Sequence, residues 1–176
     1  MLKRGSGPKK ALIFTYEFPP MGGIASVRVA KMMKFLPGYG WEPCIVTTRD
    51  APTNIPDESL LKDIPQGLAV YRSYSLEPTR LIRWIKRLRR ERQGEGKAGD
   101  SSGEVVHSYT GLPFESLVRL KGLLVPDEKI GWFPFALYSA FKALRAEDVE
   151  VIFSTGPPFT SHIIALAFKF FTGLPW

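Results

Sequence analysis

The sequence predicts an α/β fold with a mainly parallel sheet flanked by helices over residues 11–176. Short apolar runs alternate along the chain with amphipathic helical patterns, which is the arrangement of βαβ units. Two of these runs end in a turn that contains proline and glycine and leads directly into a helix. Together these features indicate a Rossmann-like fold, preceded by a flexible, basic N-terminus at residues 1–10.

The first unit contains a strand, a glycine turn and a helix. The apolar run at residues 11–14 predicts a strand that is buried on both faces. Pro19 and Pro20 end this strand because proline cannot donate to a sheet ladder. Gly22 and Gly23 allow a sharp turn and the close approach of a ligand to the backbone. The helix that follows has apolar residues three positions apart, which predicts a buried stripe of Ile24, Val27, Ala30 and Met33.

This arrangement predicts an anion site at Gly22 and Gly23. Free N–H groups and the positive end of the helix dipole both favour a phosphate at a helix N-terminus. A tight turn that binds no ligand is the alternative interpretation of the same glycines. The spacing is not GxGxxG, so the dinucleotide-binding fingerprint is absent and a dinucleotide-dependent oxidoreductase is disfavoured.

The same patterns predict the other elements. Strands are expected at residues 41–48, 68–72 and 149–154. Helices are expected at residues 58–63, 79–93, 115–124, 132–146 and 159–171. The apolar face of the helix at 132–146 should consist of Phe133, Leu137, Phe141 and Leu144. A Gly/Ser-rich composition predicts a mobile segment at residues 93–103. A parallel sheet should continue with a strand after Trp176, so we expect the chain to end in mid-fold.

Composition excludes several kinds of site. Hydrophobic residues make up 44% of the chain and charged residues 23%, as in ordinary globular proteins. The only cysteine, Cys44, lies in a predicted strand, which excludes an intramolecular disulfide and fits a reducing compartment. Two histidines and one cysteine cannot form a His/Cys zinc quartet, so no metal site is expected. Asp127 and Glu128 are adjacent and should point in different directions, so they do not form an acid/base pair. The sequence therefore predicts no catalytic residue.

A second turn between a strand and a helix spans residues 154–162, with the sequence STGPPFTSH. Ligands of open parallel sheets bind beyond the carboxyl ends of the strands, so both turns should face one cleft. We therefore expect Thr160, Ser161 and His162, in the first turn of the following helix, to lie near this cleft. Helix capping and ordinary surface polarity are the alternative roles of these residues, and for His162 both interpretations stay open.

Most of the positive charge lies in the predicted helix at residues 79–93. Seven cationic residues and one acid, Glu91, give this helix +6 of the net charge of +7. An apolar stripe formed by Leu81, Trp84, Ile85 and Leu88 suits an interfacial helix on an anionic membrane. The expected membrane contacts are Arg80, Arg83, Trp84, Arg87 and Arg90. A solvated helix face is the alternative, and no recognised motif supports binding of nucleic acid.

Three separated motifs, TYEFPPMGGIASVR, VPDEKIGW and VIFSTGPPFTSHIIALAFKFFTGLPW, follow one another along the chain. The first resembles the opening of family 4 glycosyltransferases, where a strand leads to an FPPxxGG loop and a helix. VPDEKIGW at residues 125–132 resembles the PD…GW element of one branch of the family. VIFSTGPPFTSHIIALAFKFFTGLPW resembles the same branch in order and spacing.

The resemblance implies the N-terminal half of a GT-B fold, in which two Rossmann-like domains face each other across a cleft. It implies retaining transfer of a sugar from a nucleotide-sugar to a saccharide or lipid-linked acceptor, in cell-surface polysaccharide or glycolipid synthesis, without a cofactor or a required metal. Gly22, Gly23 and Arg28 match positions that approach the donor diphosphate or the acceptor. Thr155, Gly156, Ser161 and His162 match the second loop and helix start, which the resemblance implies line the acceptor cleft.

The C-terminal donor domain is missing, so the resemblance implies that these residues alone are inactive. The expected location is the cytoplasm, including the inner face of the membrane. The alternative function is a non-catalytic Rossmann-like binding module that docks on anionic membrane.

Overall fold

One parallel sheet organises the part of the chain that the computed structural model describes, which is residues 8–49, 56–76 and 126–176. Its strand order is β3–β2–β1–β4, and all three neighbouring pairs are parallel. The strands are β1 (Lys9–Phe14), β2 (Trp41–Thr48), β3 (Ala69–Ser73) and β4 (Val149–Ser154). The helices are α1 (Ile24–Phe35), α2 (Phe133–Ala146) and α3 (Thr160–Thr172). Short 3₁₀ helices occupy Leu36–Tyr39, Glu58–Asp63 and Ile130–Trp132. The predicted α/β class with a parallel sheet is confirmed.

The central strand β1 is covered on both faces. Leu12 and Phe14 pack in a cluster with α2 and α3, whereas Ile13 packs in a second cluster with Val29 and Met33 of α1. Successive side chains of a strand point to opposite faces, so these two clusters lie on opposite sides of the sheet. A continuous apolar run therefore corresponds to a strand between two layers of helices, as its composition predicts.

The predicted buried stripe of α1 is only partly correct. Ala30 and Met33 are buried, but Ile24 is 88% exposed and Val27 is 40% exposed. Ser26 and Val29 take the buried positions instead. A period of three drifts around a helix that has 3.6 residues per turn, so such a series cannot stay on one face.

The predicted face of α2 is displaced towards small residues. Ala136, Ala140 and Ala143 are fully buried, whereas Phe133, Leu137, Phe141 and Leu144 are partly buried at the edge of the same cluster. The small side chains allow the helix backbone to lie close to its neighbours.

Trp132 anchors the start of α2 beside the end of β3. Its indole is fully buried, its Nε1 donates to the Oγ of Ser73 at 2.8 Å, and its ring meets that of Tyr16 edge-on at 5.3 Å. The segment that enters α2 is therefore held against the carboxyl end of the sheet.

Several predictions fall on residues outside the described ranges. These are most of the N-terminal segment, the Gly/Ser-rich segment 93–103 and the predicted helices at 79–93 and 115–124. The five expected membrane-contact residues, Arg80, Arg83, Trp84, Arg87 and Arg90, belong to this group. Within the described ranges, no helix has the length and apolar character needed to cross a membrane.

Candidate functional site at the carboxyl ends of β1 and β4

The two predicted turns lie side by side because β1 and β4 are neighbours in the sheet. Phe14 and Ser154, the last residues of the two strands, are partners in the parallel register. The backbone N–H of Thr155 continues this pairing by donating to the carbonyl of Phe14 at 3.0 Å. Parallel pairing therefore brings the turn after β4 next to the turn after β1, at the carboxyl ends of the strands.

Arg28 connects the two turns directly. Its Nη2 donates to the Oγ1 of Thr155 at 2.7 Å and to the carbonyl oxygen of Gly156 at 2.8 Å. Both acceptors are neutral, and no carboxylate of the described residues lies within ion-pair distance of the guanidinium. The positive charge of Arg28 is thus positioned by the second turn without being neutralised there.

The N-terminus of α1 is open. Gly23 precedes the helix with φ 116° and ψ 162°, a backbone conformation that side chains strongly disfavour. Among the described residues no side chain caps this terminus, and its first turn contains no acid. Ser26 in the same turn is fully buried, and its Oγ has no hydrogen-bond partner within the described part of the chain. The first turn of α1 therefore retains unsatisfied polar groups beside Arg28.

The N-terminus of α3 is closed by a carboxylate. Asp127 accepts hydrogen bonds from the backbone N–H of Thr160 at 2.9 Å and from its Oγ1 at 2.6 Å. Ser161 in this turn is fully buried, and, like that of Ser26, its Oγ has no hydrogen-bond partner among the described residues. Because Asp127 already supplies the negative charge that a helix N-terminus favours, the two helices differ in their capacity to receive an anion.

His162 lies in the first turn of α3 and is half-buried. Its Nδ1 is 2.8 Å from the Oγ of Ser154, and Trp176 donates from Nε1 to the same Oγ at 2.9 Å. A Cβ added at Gly156 would come within 2.7 Å of the Nε2 of His162. Glycine at position 156 therefore leaves the space that the imidazole occupies above the second turn.

Two contributions to this site were not predicted from the sequence. Asp127 is an acceptable N-cap residue, but it lies 33 positions before Thr160, so no local capping pattern marks it. Trp176 reaches Ser154 because the segment after α3 returns along β4, where the carbonyl of Pro175 accepts from the N–H of Ile152 at 2.8 Å. Both contacts depend on tertiary structure.

An apolar groove of about 550 Å³ extends from this site between α1 and the strands β1 and β4. Met32 and Phe35 of α1 form one wall, and Val151 and Phe153 of β4 form another. Arg28 also lines the groove. The candidate site thus combines cationic and polar groups at the strand ends with an apolar surface beside them.

Cys44 lies inside the sheet and takes no part in the site. It is 1% exposed, and desolvation by burial raises the pKa of its thiol to about 12. The thiol is therefore protonated at neutral pH and is a poor nucleophile. Elsewhere, Lys10 and Glu147 form an ion pair at 2.6 Å, and the hydrogen bond that Lys10 donates to the Glu147 carboxylate raises the pKa of Lys10.

Comparison of the chain with protein families, with curated proteins and with solved structures finds no match. Any proposal for its function therefore depends on the geometry of the two turns and on the motifs in the sequence.

Proposed function

We propose that the chain is the N-terminal, acceptor-side part of a retaining GT-B glycosyltransferase. The complete enzyme moves a sugar from a nucleotide-sugar to a saccharide or lipid-linked acceptor, in the synthesis of cell-surface polysaccharide or glycolipid. In such an enzyme a C-terminal domain holds most of the nucleotide-sugar, so we expect residues 1–176 alone to bind this donor weakly and not to transfer sugar.

The observation that carries the proposal is the pairing of an open helix N-terminus with an arginine that no carboxylate of the described residues neutralises. Departure of a nucleoside diphosphate leaves negative charge on its phosphate oxygens, and catalysis requires groups that stabilise this charge. The backbone N–H groups that follow Gly23 and the guanidinium of Arg28 are donors of the required kind. Because Asp127 already occupies the N-terminus of α3, the proposal places this role on α1.

Surfaces beside β4 support a larger domain. Within the described residues, β4 pairs with a strand on one side, where β1 lies, and on its other side the N–H of Ile152 donates to the carbonyl of Pro175. Ile163, Leu166 and Phe170 lie on one exposed face of α3. In the proposed enzyme a further parallel strand extends the sheet at this edge, and its following helix covers these residues.

The anion site is tested by titrating the ¹⁵N-labelled chain with inorganic pyrophosphate, UDP-glucose and GDP-mannose. We expect weak binding, with amide shifts concentrated at residues 22–26 and at the guanidinium of Arg28. Shifts concentrated at residues 160–162, or no response to any of the three compounds, would contradict the proposed anion site.

The transferase activity is tested on the product of the complete gene. We expect the codons that follow Trp176 to encode a second Rossmann-like domain with paired glutamates. The purified product should release UDP or GDP from a nucleotide-sugar when a saccharide or lipid-linked acceptor is present. A stop codon directly after Trp176 would instead favour a binding module.

A further inference from the structure

A continuous hydrogen-bonded series joins Trp176, Ser154 and His162 at the carboxyl end of β4. Trp176 donates to the Oγ of Ser154 at 2.9 Å, and this Oγ lies 2.8 Å from the Nδ1 of His162. The backbone hydrogen bond from Ile152 to Pro175 holds the residue next to Trp176 against β4. A side chain of β4 and one of the segment after α3 thus contribute to the environment of the imidazole in α3.

The chemistry of these groups restricts the position of the imidazole proton. An indole N–H only donates, so Trp176 occupies one lone pair of the serine hydroxyl. If the hydroxyl then donates to Nδ1, every group in the series has a partner and the proton of neutral His162 lies on Nε2. The opposite tautomer would place an Nδ1–H against the second lone pair and leave the hydroxyl proton of Ser154 without an acceptor in the series. A hydroxyl that already accepts a hydrogen bond is also a stronger donor.

We propose that Trp176 and Ser154 are positioning residues that hold neutral His162 in the Nε2–H tautomer. Nε2 lies above Gly156, whose carbonyl accepts from Arg28 at 2.8 Å on the same turn. His162 and Arg28 therefore both present N–H donors near this peptide, and their ligand is an oxygen acceptor such as a phosphate or a sugar hydroxyl. The identity of this ligand rests on the proposed function, whereas the tautomer does not.

The tautomer is measured by NMR on the 176-residue chain labelled with ¹⁵N-histidine. The chain contains two histidines, so a His107→Gln background leaves His162 as the only signal. The ¹⁵N shifts of Nδ1 and Nε2 are recorded at alkaline pH, where an imidazole is neutral. We expect the Nε2–H form to dominate beyond its fraction in free histidine under the same conditions.

Variants then separate positioning from simple packing. Trp176→Phe and Ser154→Ala should both return His162 to the tautomer mixture of free histidine, whereas Ser154→Thr keeps the hydroxyl and should retain the wild-type signal. Trp41→Phe, at the opposite end of the sheet, is the matched control for an indole lost elsewhere and should change nothing.

The wild-type measurement keeps the proposal falsifiable even if a variant fails to fold. An Nδ1–H form in the wild type, or a tautomer that is unchanged in both folded Trp176→Phe and folded Ser154→Ala, would overturn the proposal. These outcomes do not depend on binding of a nucleotide-sugar, so failure of the tautomer and failure of the proposed function are distinguishable.

Discussion

The guanidinium of Arg28 donates to the hydroxyl of Thr155 at 2.7 Å, although 127 positions separate the two residues. One residue belongs to the helix after β1 and the other to the turn after β4. Their contact makes the two strand-to-helix turns one site and holds there a guanidinium that has no carboxylate partner in the part of the chain that the structure describes.

Replacing Arg28 tests this connection. Arg28→Gln should weaken binding of pyrophosphate about tenfold, which corresponds to about 1.4 kcal/mol. Because the contact is partly exposed, the free energy of unfolding should fall by only about 1 kcal/mol. Calorimetry and chemical denaturation measure the two effects.

Arg49→Gln is the matched control for Arg28→Gln. Arg49 is also exposed and donates to a hydroxyl, that of Tyr74 at 2.8 Å, but it does not join the two turns. Equal loss of pyrophosphate binding in both variants would show that general positive charge, rather than the position of Arg28, is responsible.

Gly23 tests the open N-terminus of α1. Its φ of 116° means that Gly23→Ala should lower the free energy of unfolding by about 1–3 kcal/mol through backbone strain. Gly40→Ala introduces strain of a similar kind at φ 77°, with no atom near the added Cβ. Gly40 directly precedes β2, so it lies at the amino ends of the strands, whereas the two turns lie at the carboxyl ends.

We expect both glycine variants to lose comparable stability, measured by thermal unfolding. Only Gly23→Ala should also reduce the response of amides 22–26 to pyrophosphate. If Gly40→Ala weakens this response equally, the effect is a consequence of lost stability and the backbone at Gly23 does not contribute.

The cap of α3 leads to a prediction about stability. Asp127→Ala should lower the free energy of unfolding by about 1–2 kcal/mol, because the backbone N–H of Thr160 loses its acceptor. Glu128→Ala removes the neighbouring exposed carboxylate and should cost less than about 0.5 kcal/mol. Urea denaturation compares the two, and similar losses would show that Asp127 does not act as a specific cap.

The raised pKa of Cys44 predicts a change of stability in alkali. The unfolded thiol ionises near its ordinary pKa of 9.0, whereas the folded thiol keeps its proton until about 12. Above the unfolded pKa the unfolded chain therefore holds fewer protons, so the free energy of unfolding should fall as pH rises from 9.0 towards 12.

Cys44→Ala isolates this effect. The stability advantage of the wild type over the variant, measured by denaturation, should shrink progressively as pH rises through this window. Below the window a thiol reagent should modify Cys44 only after unfolding in guanidinium chloride. Rapid modification of the folded chain would show that the thiol is not protected.

Local composition predicted the strands and the order of the elements. Residues 41–48 and 149–154 form strands with the predicted bounds, because β-branched and apolar runs between turn residues favour one local conformation. The boundaries of β1, β3 and α3 differ from prediction by one or two residues, where helix and strand ends depend on hydrogen bonds with neighbouring segments.

Tertiary structure decided which faces are buried and which residues meet. Periodicity specifies a spacing of apolar residues, but the neighbouring layer selects the buried face, which is why Ile24 is exposed and Ser26 is buried. The contacts of Arg28 with Thr155 and of Asp127 with Thr160 join residues distant in sequence. By itself the sequence determined the strand-turn-helix units. Parallel pairing of β1 with β4 brought their two turns together. Only this pairing places Arg28 within 2.7 Å of the Thr155 hydroxyl, because a hydrogen bond between residues so far apart in sequence requires the folded chain.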